Sequence, residues 1–329
     1  MMRRSLSLLL LIAALAPGTW LRDAERPPSQ QQRLTLIPVK LPPPDILARH
    51  LGAFELVAAW QLRSPNRGFG GYSALIALTD GQFLAISDKG NTLHFSQPGA
   101  VQRPPFFGRV FPGEGFYKTD RDAEAATYDA ATGQTWIGWE TSNSITRFRP
   151  RWHFDGRISP RAMAGWGVNA GPESMVRLAD GRFILLREAF NGDFETRRHE
   201  AVLFRGDPLT SGEPERFTFS GPAKFSPTDM VQLPDGRVLI LLRRPVWPLP
   251  FRFAGRIVIA DPAAIRSGKD WSSREVAKLT SSLPVDNFEG IAIVPRNDGR
   301  VTVWLISDDN DASTQRTLLW KMIVDPRRL

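Results

Sequence analysis

The sequence predicts an all-β fold, a β-propeller of about five four-stranded blades closed by an N-terminal strand. Three observations predict it. A unit of apolar strand, glycine turn and second apolar strand recurs five times along 329 residues. The turn glycines, Gly81, Gly133, Gly181, Gly236 and Gly299, recur roughly every 50–60 residues, the length of one four-stranded blade with variable loops. Second strands such as Phe183-Ile184-Leu185-Leu186 and Val238-Leu239-Ile240-Leu241 are apolar on both faces, as a sheet sandwiched between neighbouring sheets requires.

In chain order, residues 1–24 come first. They begin MMRRSLSLLLLIAALA, with Arg3 and Arg4 ahead of an apolar run and small residues, the layout of a secretory signal. The run is shorter than the ~20 apolar residues of a membrane span. Residues 1–24 are therefore read as a signal peptide or N-terminal anchor, and the protein as exported, periplasmic or secreted, with no stable membrane span after processing. Residues 25–50 carry Pro27-Pro28, Gln30 to Gln32 and Pro42-Pro43-Pro44, a composition of extended backbone read as a tether. The propeller domain is assigned to residues 51–329. Its first strand, at residues 54–62, precedes the first hairpin and is predicted to complete the last blade, which removes exposed sheet edges.

The five copies are GYSALIALTDGQFLAISDKGN from Gly71, DAEAATYDAATGQTWIGWETSN from Asp122, GPESMVRLADGRFILLRE from Gly171, SPTDMVQLPDGRVLILLRR from Ser226 and NFEGIAIVPRNDGRVTVWLISDDN from Asn287. Four turns carry Asp-Gly, at Asp80-Gly81, Asp180-Gly181, Asp235-Gly236 and Asp298-Gly299. That pair suits the positive φ angles of a two-residue hairpin turn. Further strands are expected at 201–204 and 216–219, at 256–260 and 274–279, and at 318–324. A sixth blade would have to lie in one of the long connections.

Composition excludes several functions. With no cysteine, there is no disulfide framework, zinc-cysteine site or thiol nucleophile. The 42 Lys+Arg exceed 34 Asp+Glu by a net +8, but basic pairs such as Arg197-Arg198, Arg243-Arg244 and Arg327-Arg328 are scattered among acids. No basic helix or nucleic-acid-binding motif accompanies them, so no nucleic-acid partner is expected. His50, His94, His153 and His199 sit outside the repeated positions and are read as surface or packing residues, as Trp136, Trp139, Trp166 and Trp304 are read as blade packing. Ser174 has no histidine placed to activate it as a nucleophile.

Acids recur at the two ends of each hairpin that share one face. Before the first strand stand Glu124, Glu173, Asp229 and Glu289, with Ser73 in the first copy; after the second stand Asp88, Glu140, Glu188 and Asp308, with Arg244 in the fourth. Blades around an axis bring these positions to one central mouth. Carboxylates so crowded raise one another's pKa unless a cation compensates, and an all-oxygen set suits calcium. Asn91, Asn143, Asn287 and Asn310 could add amide oxygens. Glu124, Glu173 and Glu289 are the catalytic candidates, and Asp88, Glu140, Glu188, Asp229 and Asp308 the metal ligands. Arg187, Arg244, Arg121 and Lys89 would grip a small anionic substrate, and Arg243 lies close by in sequence. The plainer alternative is that such acids form turn hydrogen bonds or ion pairs with the arginines.

Over residues 54–325 these segments resemble the phytase-like family described as having esterase-like activity of phytase. Asp122 to Glu124, Gly-Pro-Glu-Ser at Gly171 to Ser174 and Asn-Phe-Glu-Gly at Asn287 to Gly290 carry the resemblance. It implies an exported β-propeller with phosphoester hydrolase chemistry. Together with the acidic mouth it gives a calcium-dependent phosphoester hydrolase, an enzyme using bound metal, a carboxylate base and an arginine. Two other readings stay open: a lactonase-type or other carboxylic ester propeller hydrolase, and a non-catalytic calcium- or ligand-binding envelope protein. The oligomeric state has no signature in the sequence.

Overall fold

The computed structural model describes residues 29–110, 122–167, 170–190, 198–246 and 252–329; residues 1–24 and Arg121 lie outside them. The chain enters through strand β1 (Thr35–Pro38), helix α1 (Pro44–Leu51) and strand β2 (Glu55–Arg63). Blade 1 follows as β3 (Tyr72–Ala77), β4 (Gln82–Ser87), β5 (Asn91–Ser96) and β6 (Phe106–Arg109). Blade 2 is β7 (Ala123–Asp129), β8 (Gln134–Trp139), β9 (Ser144–Arg149) and β10 (His153–Ile158). Blade 3 is β11 (Pro172–Arg177), β12 (Phe183–Phe190), β13 (Arg198–Phe204) and β14 (Glu215–Ser220). Blade 4 takes β15 (Ser226–Gln232), β16 (Val238–Val246) and β17 (Arg252–Ala260). Next, β18 (Asp270–Ser272) returns to the edge of blade 3, parallel to β14, before β19 (Arg274–Leu279) finishes blade 4. Blade 5 is β20 (Asn287–Pro295), β21 (Val301–Asp308) and β22 (Leu318–Val324), with β2 from the N-terminal side.

The described residues thus form five sheets arranged as a β-propeller, and the predicted closure is present. β2 pairs antiparallel with β22, Trp60 opposite Leu319 and Gln61 opposite Leu318. Between each pair of adjacent blades lies one apolar layer, which explains why the second strands lack alternation. Leu239 and Leu241 of β16 face blade 5 with Ile291, Val303 and Trp320, while Ile240 and Leu242 face blade 3 with Ile184 and Leu186. The second strand of a blade is thus buried from both sides.

Two expectations change. The Asp-Gly pairs sit in three-residue loops instead of two-residue turns. Leu178 accepts from Gly181 N–H and donates to the Arg182 carbonyl, and Leu233 does the same with Gly236 and Arg237. Gly181 and Gly236 take φ of 89° and 92°, the left-handed position that closes such a loop. The aspartate matters for a separate reason: Asp80, Asp180, Asp235 and Asp298 each accept the N–H two residues on, an Asx turn that presets the hairpin.

The second change concerns residues 25–50, read as a tether. β1 adds a fifth, edge strand to blade 5, with Leu36 opposite Leu62, and the Gln32 side chain accepts the Phe107 N–H at 2.6 Å. α1 starts with Pro44 at its first position, where the missing N–H costs nothing, and packs Leu47 and Leu51 on the core. Proline is compatible with an edge strand as well as with a tether. Among the described residues no helix is long and apolar enough to cross a membrane.

Candidate functional site

The site is built from one backbone irregularity repeated five times. In each blade the first strand carries a β-bulge against the second, between Tyr72 and Ala74, Ala123 and Ala125, Pro172 and Ser174, Pro227 and Asp229, and Phe288 and Gly290. The skipped residues are Ser73, Glu124, Glu173, Thr228 and Glu289. A bulge leaves one residue unpaired and re-aims its side chain. A second ring follows from the register. Opposite the residue before each bulge stand Ser87, Trp139, Arg187, Leu242 and Ser307. The next residues are Asp88, Glu140, Glu188, Arg243 and Asp308.

Nine of these ten side chains, all but Thr228, line one central cavity of about 200 Å³, together with Asn310. Seven carboxylates there face one guanidinium. Carboxylate oxygens of Asp122, Glu124 and Glu140 lie within 4.8 Å of one another, and so do those of Glu140, Glu173 and Glu188. Glu140 belongs to both groups.

Close approach between blades depends on glycine at two places. A Cβ on Gly171 would lie 2.7 Å from the Glu140 Cα and 2.8 Å from its carbonyl oxygen, so glycine lets blade 3 bring Glu173 up to Glu140. A Cβ on Gly290 would lie 2.8 Å from the Leu75 backbone nitrogen, fixing Glu289 against blade 1.

The electrostatics follow from burial and crowding. Burial, with the charges of Asp311 and Asp122 against the pull of Lys89, raises Asp88 to about 6. Burial with Asp122 and Glu188 raises Glu140 to about 7. Glu124, Glu173 and Asp308 are pushed well above the ordinary carboxylate range, first by burial and then by neighbouring acids. Glu289 is raised by burial too, although Arg243 and a 2.6 Å hydrogen bond from Asn287 Nδ2 hold it back. Burial opposes charge on Arg243, yet Glu289, Glu188, Glu173 and Glu124 together raise its proton affinity. His199, fully buried, sets its ring nitrogens against the carbonyls of Glu188 and Phe225 at 3.0 and 3.2 Å and fixes the backbone at Glu188.

Of the side chains singled out from sequence, Asp88, Glu124, Glu140, Glu173, Glu188, Glu289 and Asp308 meet in the cavity. Asp229 does not. Its carboxylate accepts the N–H groups of Met230 and Ile291, both at 2.8 Å, and ties blade 4 to blade 5. Arg244 faces away from the cavity, over the Phe225 ring at 4.9 Å. Both errors are one residue long: the bulge makes Thr228 and Arg243 the fourth-blade members of the rings. Aligning Pro227 with Pro172 would have given that register. Arg187 is spent on structure, donating to the carbonyls of Trp166 and Ala170 at 2.6 and 3.0 Å and pairing with Glu200. Lys89 pairs with Asp311 and is half exposed. Asp122, quoted only within its segment, joins the first carboxylate group.

The family model for phytase-like proteins, described as esterase-like activity of phytase, matches residues 67–311. The chain belongs to the phytase-like family. Among solved structures, the phytase-like chain is similar to the Myxococcus xanthus glutaminyl cyclase, at 12% identity over 82% of this chain and 96% of that one, TM-score 0.44. It is similar to a Xanthomonas campestris gluconolactonase, at 11% identity over 92% and 99%, TM-score 0.44. Similarity to Kuenenia stuttgartiensis hydrazine synthase is at 12% identity over 73% of this chain, TM-score 0.37, and spans 57% of that longer chain. Curated protein sequences give no match.

Proposed function

We propose that this phytase-like propeller is an exported, divalent-cation-dependent hydrolase of small phosphoesters, with calcium as its cation. The observation that carries the reading is that Glu140, on the wall of a cavity with seven acids and one arginine, belongs to two carboxylate triads. Such a set either holds protons at neutral pH or holds a cation.

The residues fit calcium. Every acidic donor is a hard oxygen, with no histidine on the cavity wall among the described residues, and calcium takes six to eight oxygens. Ser73 Oγ, on a residue 2% exposed, lines the cavity without a hydrogen-bond partner. Glu140, Glu173 and Glu188, or Asp122, Glu124 and Glu140, would hold the ion. When bound, the cation supplies positive charge against ester oxygens and the Lewis acidity that activates water.

The chain's own groups then divide the remaining work. Glu289 belongs to neither triad and is anchored by Asn287, so it is the carboxylate placed to take a proton. Arg243 offers a guanidinium to the anionic group of the substrate. The ring of carboxylates without cation would repel an anion, so substrate binding requires the ion first.

A second reading, hydrolysis of lactones or other carboxylic esters, is favoured by one observation. Arg187 and Arg244 are engaged elsewhere, leaving Arg243 as the cationic side chain on the described wall. Hydrolysis of p-nitrophenyl phosphate, p-nitrophenyl acetate and a δ-lactone, measured with calcium and with chelator, separates the readings. Calcium-dependent phosphate release, lost in Glu289→Gln while calcium still binds, supports the phosphoesterase. Turnover of the carboxylic esters alone supports the second reading. Calcium binding with no turnover of any of them leaves a binding protein.

A further inference from the structure

Arg244 and Arg256 lie on the adjacent strands β16 and β17, opposite Ala254 and Leu242 respectively. That diagonal relation puts both side chains on one face of blade 4. Both stand over the ring of Phe225, with Cζ 4.9 and 4.4 Å from its centroid. The ring is a fixed platform. Phe225 is 3% exposed, its N–H donates to the Pro222 carbonyl, and its own carbonyl meets His199 Nε2 at 3.2 Å. Lys278 of β19 lies directly opposite Arg256.

Against these three cations stands one carboxylate. Glu275 pairs with Arg256 at 2.8 Å and with Lys278 at 3.6 Å. No ion pair joins Arg244 to a carboxylate among the described residues, and its Nε is buried without a hydrogen-bond partner. Burial, opposed by Glu275 and reinforced by the Arg244 charge, lowers the Arg256 proton affinity, so the two guanidinium groups feel each other. Glu275, which pairs with Arg256 and Lys278, also lines a cleft of about 390 Å³ with Gly221, Pro222, Ala223 and Ser273, so the cations stand beside that cleft and not on its wall. The cleft lies between blades 3 and 4 and shares no lining residue with the central cavity.

Two like charges held against one aromatic ring, with a surplus of positive charge and an unsatisfied donor, make a preorganised receptor for an oxyanion. Stacking fixes the donor forks, and an anion between them relieves the repulsion. We propose that Arg244, Arg256 and Lys278 form an oxyanion-binding site on the face of blade 4 around Phe225, beside the cleft that Glu275 lines, which takes the phosphate or carboxylate group of a small molecule. The site is independent of any chemistry in the central cavity.

The test is calorimetric titration of the chelator-treated full chain with inorganic phosphate and, separately, with acetate. Chelation removes any cation that would hold anions in the central cavity. The proposal expects saturable binding at millimolar anion. Arg244→Gln and Arg256→Gln each weaken it about tenfold or more, and Glu275→Gln, which removes the competing carboxylate, tightens it. Tighter binding of phosphate than acetate identifies a phosphate group as the ligand, and the reverse identifies a carboxylate. Should an arginine variant fail to fold by circular dichroism, Glu275→Gln decides. Absence of binding by either anion overturns the proposal, as does binding indifferent to Glu275→Gln and to the folded arginine variants.

Discussion

Arg243 Nε stands 3.1 Å from Oε1 of Glu289, and this pair ties the fourth blade, where both ring positions lack an acid, to the fifth. The same guanidinium reaches Glu188 of blade 3, Nη2 to Oε1, at 3.5 Å. Arg243→Met removes that countercharge from a buried group of acids. Unfolding by urea at pH 8 in chelator is expected to show a loss of about 3 kcal/mol, smaller at pH 5, where the acids carry protons.

The pH dependence of the metal-free protein has a definite sign. Asp88 titrates near 6 and Glu140 near 7 in the folded chain, against ordinary values of 3.8 and 4.5. Between pH ~4 and ~7 the folded state therefore binds more protons than the unfolded state, and stability falls as pH rises through that window. Asp88 contributes on the order of 3 kcal/mol to the fall, and Glu140 adds to it in the same direction. Calcium should flatten the curve, since it favours the deprotonated carboxylates. Thermal unfolding across pH 4–8, with and without calcium, reads both effects.

Gly171→Ala places a methyl group against the Glu140 backbone, at 2.7 Å from Cα. Neither backbone can yield without moving blade 2 away from blade 3. A destabilisation of about 1–3 kcal/mol is expected, with calcium affinity falling because Glu140 and Glu173 separate. Calcium affinity unchanged in a destabilised variant would mean that the second triad does not bind the ion.

Asp229→Ala separates structural from functional acids. It strands the N–H groups of Met230 and Ile291, a loss of about 1–3 kcal/mol per buried donor. Calcium affinity should be unchanged in the folded variant. Arg187→Gln belongs with it: the lost bonds to Trp166 and Ala170 lower the melting temperature, while KM for any ester substrate stays as in the parent.

The blades were legible because the turns demand it. A glycine at positive φ closes all five leading hairpins, with an aspartate bonded two residues ahead in four of them, and Val238-Leu239-Ile240-Leu241 is apolar on both faces because each face meets another blade. Most of the acidic site was legible as well, since identical registers in successive blades converge on one axis. The rest depended on single-residue geometry. Bulges decide whether Thr228 or Asp229 points to the axis, and a composition-level reading cannot see a bulge. Arg187 and Arg244 have the right charge at nearly the right position but the wrong face. β1 stayed hidden because prolines that suggest a tether also suit an edge strand.

The proposed function stands on the acidic cavity being a cation site built on Glu140. Calorimetric titration of the chelator-stripped protein with calcium, alongside Glu140→Gln, tests it most directly. Saturable binding is expected in the parent and its loss in Glu140→Gln, because that residue belongs to both triads. Absence of divalent-cation binding in the parent, or equal binding by the folded variant, would contradict it.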